Sequence, residues 1–65
     1  MFEERFLRLS EVVQKVGLRK TWIYENVKKG RFPRPRKYPG SNRSYWLLSE
    51  ITDWQRLQQN LSVLG

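Results

Sequence analysis

Sixty-five residues hold 13 lysines and arginines against six acids, for a net charge of +7, with no histidine and no cysteine. The length admits one domain, near the lower limit at which a hydrophobic core alone sustains a fold, so nine aromatic residues must supply much of the buried area. This composition excludes disulfides, thiolate metal sites and histidine- or cysteine-based catalysis, and no apolar run approaches the ~18 residues of a membrane span. The expectation is a soluble, cytoplasmic, non-enzymatic protein without a cofactor.

The first predicted element is a short helix over Ser10–Val16. Ser10 suits an N-cap, Glu11 places a carboxylate in the first turn, and Val12, Val13 and Val16 share one face before Gly17 stops the helix. A second helix is predicted over Arg19–Lys29, with Trp22, Ile23 and Val27 at helical spacing and Gly30 as its stop. Two short helices with a glycine-containing turn form a helix-turn-helix pattern, although many small helical hairpins share it. Pro33 and Pro35 then exclude a helix interior, and Tyr38-Pro39-Gly40-Ser41-Asn42 is dense in turn formers. Flanking that turn, Arg34–Tyr38 and Arg43–Leu48 pair as a β-hairpin, in whose second strand Trp46 and Leu48 face opposite to Tyr45 and Leu47. Ser49 is expected to cap a third helix, with Glu50 and Asp53 in its first turn and Ile51, Trp54 and Leu57 as a buried stripe. The fold class is therefore mainly α with a small β-hairpin, a winged helix-turn-helix with its core at about 7–57. The first six or so residues and the last five are expected to fray.

The excess charge is localised. Between Asn26 and Ser49, 24 residues carry seven bases (Lys28, Lys29, Arg31, Arg34, Arg36, Lys37 and Arg43) and no acid, while six bases and six acids cancel elsewhere. Such a patch attracts polyanions, and neutralising phosphates releases condensed counterions. Phe32, Tyr38, Tyr45 and Trp46 interrupt the run, which a purely solvating tail would not contain.

The chain resembles the AlpA-type phage and prophage regulators, which are related to excisionases and to the DNA-binding part of MerR-type regulators. The likeness rests on Arg8-Leu9-Ser10-Glu11-Val12, Gly17-Leu18, Thr21-Trp22-Ile23-Tyr24, Lys29-Gly30-Arg31-Phe32-Pro33-Arg34-Pro35 and Trp46-Leu47-Leu48-Ser49-Glu50-Ile51, with Trp54 beyond. It covers roughly Leu7 to Leu57. One departure is Arg19, where the family often has a small hydroxyl residue capping the second helix. The resemblance implies double-stranded DNA as partner, the second helix as recognition helix, and a role as transcriptional regulator, excisionase or both, in a protein of bacterial or phage origin associated with the nucleoid.

On a helix over 19–29, Lys20, Thr21, Tyr24, Glu25 and Lys28 share the face opposite Ile23 and Val27. Lys20 suits guanine or phosphate, Thr21 a base edge, and the Tyr24 hydroxyl a phosphate. Glu25 is repelled by phosphates unless it accepts from cytosine or pairs with Lys28 or Lys29. Arg19 and Lys20 lie near the positive end of the helix dipole, a conflict that a bound phosphate would relieve. Arg31, Arg34, Arg36, Lys37 and Arg43 frame the hairpin, and Arg43 is the expected reader of a narrow minor groove. Trp22 is read either as closing the core beneath the hairpin or as an exposed contact.

Other readings stay open at this level. Aromatics among bases also suit RNA or single-stranded nucleic acid, and the chain also fits a protein-interaction module that recruits an integrase. Leu57, Leu61 and Leu64 continue at helical spacing and could meet a second copy on DNA or another protein. A membrane-surface role is disfavoured because the aromatics fall on a hairpin and not on one face of a basic helix. Glu50 and Asp53 are explained by a helix N-terminus without invoking a catalytic pair.

Overall fold

A computed structural model describes residues 4–64 of the chain, with side chains described for residues 4–61. The elements run β1 (Phe6–Leu7), α1 (Leu9–Val16), α2 (Lys20–Lys28), β2 (Arg36–Lys37), β3 (Ser44–Leu47) and α3 (Leu48–Leu64). The three strands form one antiparallel arrangement in the order β1-β3-β2. The architecture is mainly helical with a small antiparallel sheet, compatible with a small helix-turn-helix domain bearing a hairpin.

Helices α1 and α2 meet their expected limits within a residue at most positions, but two caps differ from the sequence reading. α1 begins at Leu9, one residue before Ser10, and Arg8 is its N-cap. Glu11 supplies the acceptor, its carboxylate taking the Arg8 amide at 2.9 Å, so the first turn is closed by an acid inside the helix. α2 ends as predicted: Gly30 has φ of 73°, its amide reaches the Val27 carbonyl at 3.1 Å, and Arg31 donates to the Asn26 carbonyl at 2.8 Å. That paired bonding of the last carbonyls requires a left-handed residue, which glycine adopts without a Cβ penalty.

Ser49 does not cap α3 with its side chain. The helix starts at Leu48, directly out of β3, and its first amides are satisfied from the other end of the chain. Leu48 donates to the Arg5 carbonyl at 2.8 Å, and the Ser49 amide donates to Glu4 Oε1 at 3.1 Å. The Ser49 hydroxyl donates to Glu4 Oε2 at 2.6 Å. A carboxylate across a helix N-terminus suits the dipole as well as the free amides. Glu4, Arg5 and Phe6, within the segment expected to fray, are hydrogen-bonded or paired to α3 and β3; residues 1–3 lie outside the described residues. Helix α3 continues through Leu64, into the segment expected to fray, and Gly65 again lies outside the described residues.

β1 was not foreseen. Phe6 pairs with Leu47 and Leu7 with Trp46, making β3 the central strand. Leu7 and Trp46 thereby face inward together, in a core completed by Val12, Ile23, Phe32 and Ile51. Trp46 is fully buried, and its indole N–H donates to the Pro33 carbonyl at 2.9 Å. On the opposite face, Phe6, Tyr45 and Tyr38 stack in a row, with centroids 4.4 Å apart for Phe6–Tyr45 and 4.5 Å for Tyr38–Tyr45. Trp22 and Trp54 each pack edge-on to Phe32, and the Trp54 indole donates to the Arg31 carbonyl at 3.0 Å, so this triad joins α2 to α3. Trp22 thus belongs to the half-buried rim of the core. The expected stripe on α3 holds for Ile51 and Trp54 but not for Leu57, which is 55% exposed and lines an open groove beside Trp22 and Trp54.

Trp46→Ala is expected to cost ~3 to 5 kcal/mol, on the order of the whole stability of so small a domain. Urea titration followed by circular dichroism should then show no folded baseline; a variant that still melts cooperatively near the wild-type midpoint contradicts this packing. A second expectation concerns acid. The hydrogen bond from the Ser49 hydroxyl, followed by that from the Ser49 amide, holds the Glu4 carboxyl below its ordinary value of 4.5. The folded pKa is depressed, so the stabilisation is complete above the unfolded value and disappears as pH falls through the folded one. Melting temperatures of wild type and Glu4→Gln should differ at neutral pH and converge below pH 4.5; a constant gap into acid would exclude the contact.

Candidate nucleic-acid interface

Ile23 turns inward from α2, fully buried, and Val27 is half-buried on the same side. The helical repeat then forces Lys20, Thr21, Tyr24 and Lys28 outward. All four are exposed, and together with Glu25 they line one open concavity on the helix surface. Arg19 stands at the N-cap with extended backbone and gives no side-chain cap, since a guanidinium has no acceptor to offer. The first amides of α2 therefore point out beside two cations. Glu25 forms no ion pair with Lys28 or Lys29 among the described residues.

Strand register sorts the hairpin cations. Lys37 pairs with Ser44 and Arg36 with Tyr45. Because successive side chains alternate, Lys37 shares the face of Ser44 and Trp46, and Arg36 shares the face of Tyr45. The Tyr24 ring of α2 lies 6.4 Å from the ring of Trp46, which shares its sheet face with Lys37. Arg36 is directed the other way, where its guanidinium meets Glu50 Oε2 of α3 at 3.2 Å. Arg34 is exposed on the segment leading into β2, and Arg43 is exposed beyond the turn. The Arg43 amide donates to Ser41 Oγ at 3.1 Å and its carbonyl accepts the Tyr38 amide at 3.3 Å, fixing the backbone from which its side chain projects.

Lys20, Thr21, Tyr24 and Lys28 thus line one surface of α2, and Lys37 lies on the sheet face of Trp46, near whose ring Tyr24 sits, with Arg19 at the helix start and Arg34 and Arg43 exposed at the hairpin margins. The fold separates Arg36 from them. Arg8 was missed by sequence reasoning: it counts there as one of six bases balanced by six acids, yet it forms no ion pair among the described residues, whereas Arg5 meets Glu11 at 3.2 Å. No local signal distinguishes the two arginines, because the choice depends on which one the Glu11 carboxylate can reach.

A separate groove of about 970 Å³ runs along Trp22, Phe32, Trp54, Leu57 and Leu61. Leu57 and Leu61 are each 55% exposed there; the Leu64 side chain lies outside the described residues. Among the described residues no three histidine, cysteine, aspartate or glutamate side chains cluster to hold a metal, and no helix is long and apolar enough to cross a membrane.

The family model described as prophage CP4-57 regulatory protein (AlpA) matches residues 5–59. The chain belongs to the AlpA family. The matched span runs from just before β1 into α3, so it contains β1, α1, α2, β2 and β3 in full and α3 in part. An uncharacterized protein, ORF88 of Enterobacteria phage P4, is similar to it, 46% identical over 52 residues that make up 80% of this chain. Those residues are 58% of ORF88, so the chain spans somewhat over half the length of that phage relative. No solved structure matches.

Proposed function

We propose that the chain binds double-stranded DNA sequence-specifically as a phage or prophage regulator, with α2 in the major groove and the β2–β3 hairpin as a wing on the adjacent minor groove or backbone. The observation that carries the reading is the Tyr24–Trp46 contact, which couples the outward face of α2 to the sheet face bearing Lys37. A duplex laid against one surface meets the other. Arg19, Lys20, Lys28, Arg34, Lys37 and Arg43 are free of carboxylates among the described residues, as groups that bind phosphate must be. Thr21 and Lys20 stand where base edges are read, while the hairpin cations position the chain.

Two jobs follow from the same contacts. The protein regulates transcription at a promoter, or it bends attachment-site DNA as an excisionase alongside an integrase. A promoter reporter compared with a prophage excision assay separates the two.

Binding to the chain's own upstream DNA, followed by gel shift over a range of salt, should give a log–log slope of about −4 to −5, corresponding to roughly five phosphates neutralised. Lys20→Ala and Thr21→Ala should change the preference among operator variants, while Lys37→Ala should weaken all of them alike. Arg36→Ala should weaken binding least among the hairpin substitutions, because Glu50 already holds that guanidinium. Preferential competition by single-stranded RNA over duplex at equal salt would replace this reading with an RNA-binding one.

A further inference from the structure

Arg8 occupies the junction between β1 and α1. Since Leu7 lies opposite Trp46 in an antiparallel pair, the chain at Arg8 continues alongside the beginning of β3, where the hairpin turn ends. There Arg8, Tyr38, Ser41, Arg43 and Ser44 line a single open notch of about 590 Å³. Two guanidinium side chains and three hydroxyl-bearing ones share it, and no carboxylate is among them. Glu11, three residues after Arg8, is already engaged: one oxygen takes the Arg8 amide and the other the Arg5 guanidinium. Neither Arg8 nor Arg43 has an ion-pair partner among the described residues.

Two like charges side by side repel, and an anion between them reverses the sign of that interaction. The backbone on both sides is fixed before any ligand arrives. Val12 donates to the Arg8 carbonyl at 3.0 Å, and the Ser41 amide donates to the Tyr38 carbonyl at 3.1 Å, closing the turn. Ser41 Oγ accepts from the Arg43 amide, which leaves its hydroxyl hydrogen available to a second acceptor. Arginine forks with hydroxyl donors match the oxygens of a tetrahedral phosphate, which arginine can grip through two parallel hydrogen bonds.

We propose that this notch is a phosphate-binding site, in which Arg8 and Arg43 together seat one backbone phosphate of the duplex. The proposal rests on the DNA-binding reading above. Through Arg8 it adds to the wing's Arg43 a partner from outside both α2 and the wing, at the place where the chain enters α1. Such a contact fixes register along the duplex and carries no base preference.

The test uses duplex binding with a salt series and phosphate-ethylation interference on the same DNA. Arg8→Gln should weaken cognate and scrambled duplexes by the same factor, lower the salt slope by about one, and remove interference at a single phosphate. Arg43→Gln should remove interference at that same phosphate. Arg8→Lys, which keeps the charge without the fork, should fall between wild type and Arg8→Gln and covers the case in which the glutamine variant folds poorly. If Arg8→Gln and Arg8→Lys leave affinity, slope and interference unchanged while Lys20→Ala still alters operator preference, the notch is no phosphate site and the broader reading survives. Interference lost at two different phosphates for Arg8 and Arg43 likewise overturns a shared site. Absence of duplex binding by the wild-type chain ends both.

Discussion

The indole of Trp46 is the joint on which the rest of this small domain turns. It is fully buried on the central strand, its N–H is held by the Pro33 carbonyl, and Leu7 flanks it from β1. An indole buried without a partner for its N–H would leave a polar group unsatisfied, so the hydrogen bond fixes the path of the segment between α2 and β2 as well as the ring. That segment sets where the hairpin emerges relative to α2. Tyr24 rests near the same ring from the helix side. A 65-residue chain without cysteine builds its core around a single tryptophan and the residues that pack on it.

Carboxylate placement then decides which cations remain available. Of the acids whose side chains are described, Glu11 engages Arg5, Glu50 engages Arg36, and Glu4 serves the start of α3. These contacts sit away from the outward face of α2 and from Lys37 and Arg43. Surface ion pairs of this kind contribute little to stability, so their main consequence is the distribution of positive potential. A sequence count gives a patch of seven bases; the fold moves Arg36 out of that set and brings Arg8 to its edge.

Much of this was legible in the sequence, for identifiable reasons. Gly17 and Gly30 ended α1 and α2 as expected because the left-handed conformation at a helix end is close to a glycine requirement. Ile23 and Val27 against Lys20, Thr21, Tyr24 and Lys28 is a strong helical period, and it placed the face correctly. β1 escaped because two residues in a charged stretch carry no alternation, and its existence depends on β3 having a free edge. The cap of α3 escaped for a similar reason: Glu4 lies 45 residues from Ser49, and local rules favoured the serine side chain instead. Which of Arg36 and Lys37 shares the sheet face of Trp46 was also hidden, since a one-residue change of register exchanges them.

The central claim is that α2 and the wing meet one duplex at the same time, and amide chemical-shift mapping during a titration with short operator DNA tests it most directly. The account predicts that amides of Lys20, Thr21, Tyr24 and Lys28 shift together with those of Lys37 and Arg43, along a single binding curve, while α3 beyond Trp54 stays unmoved. Shifts confined to one of the two surfaces, or two sets that saturate at different DNA concentrations, would contradict it.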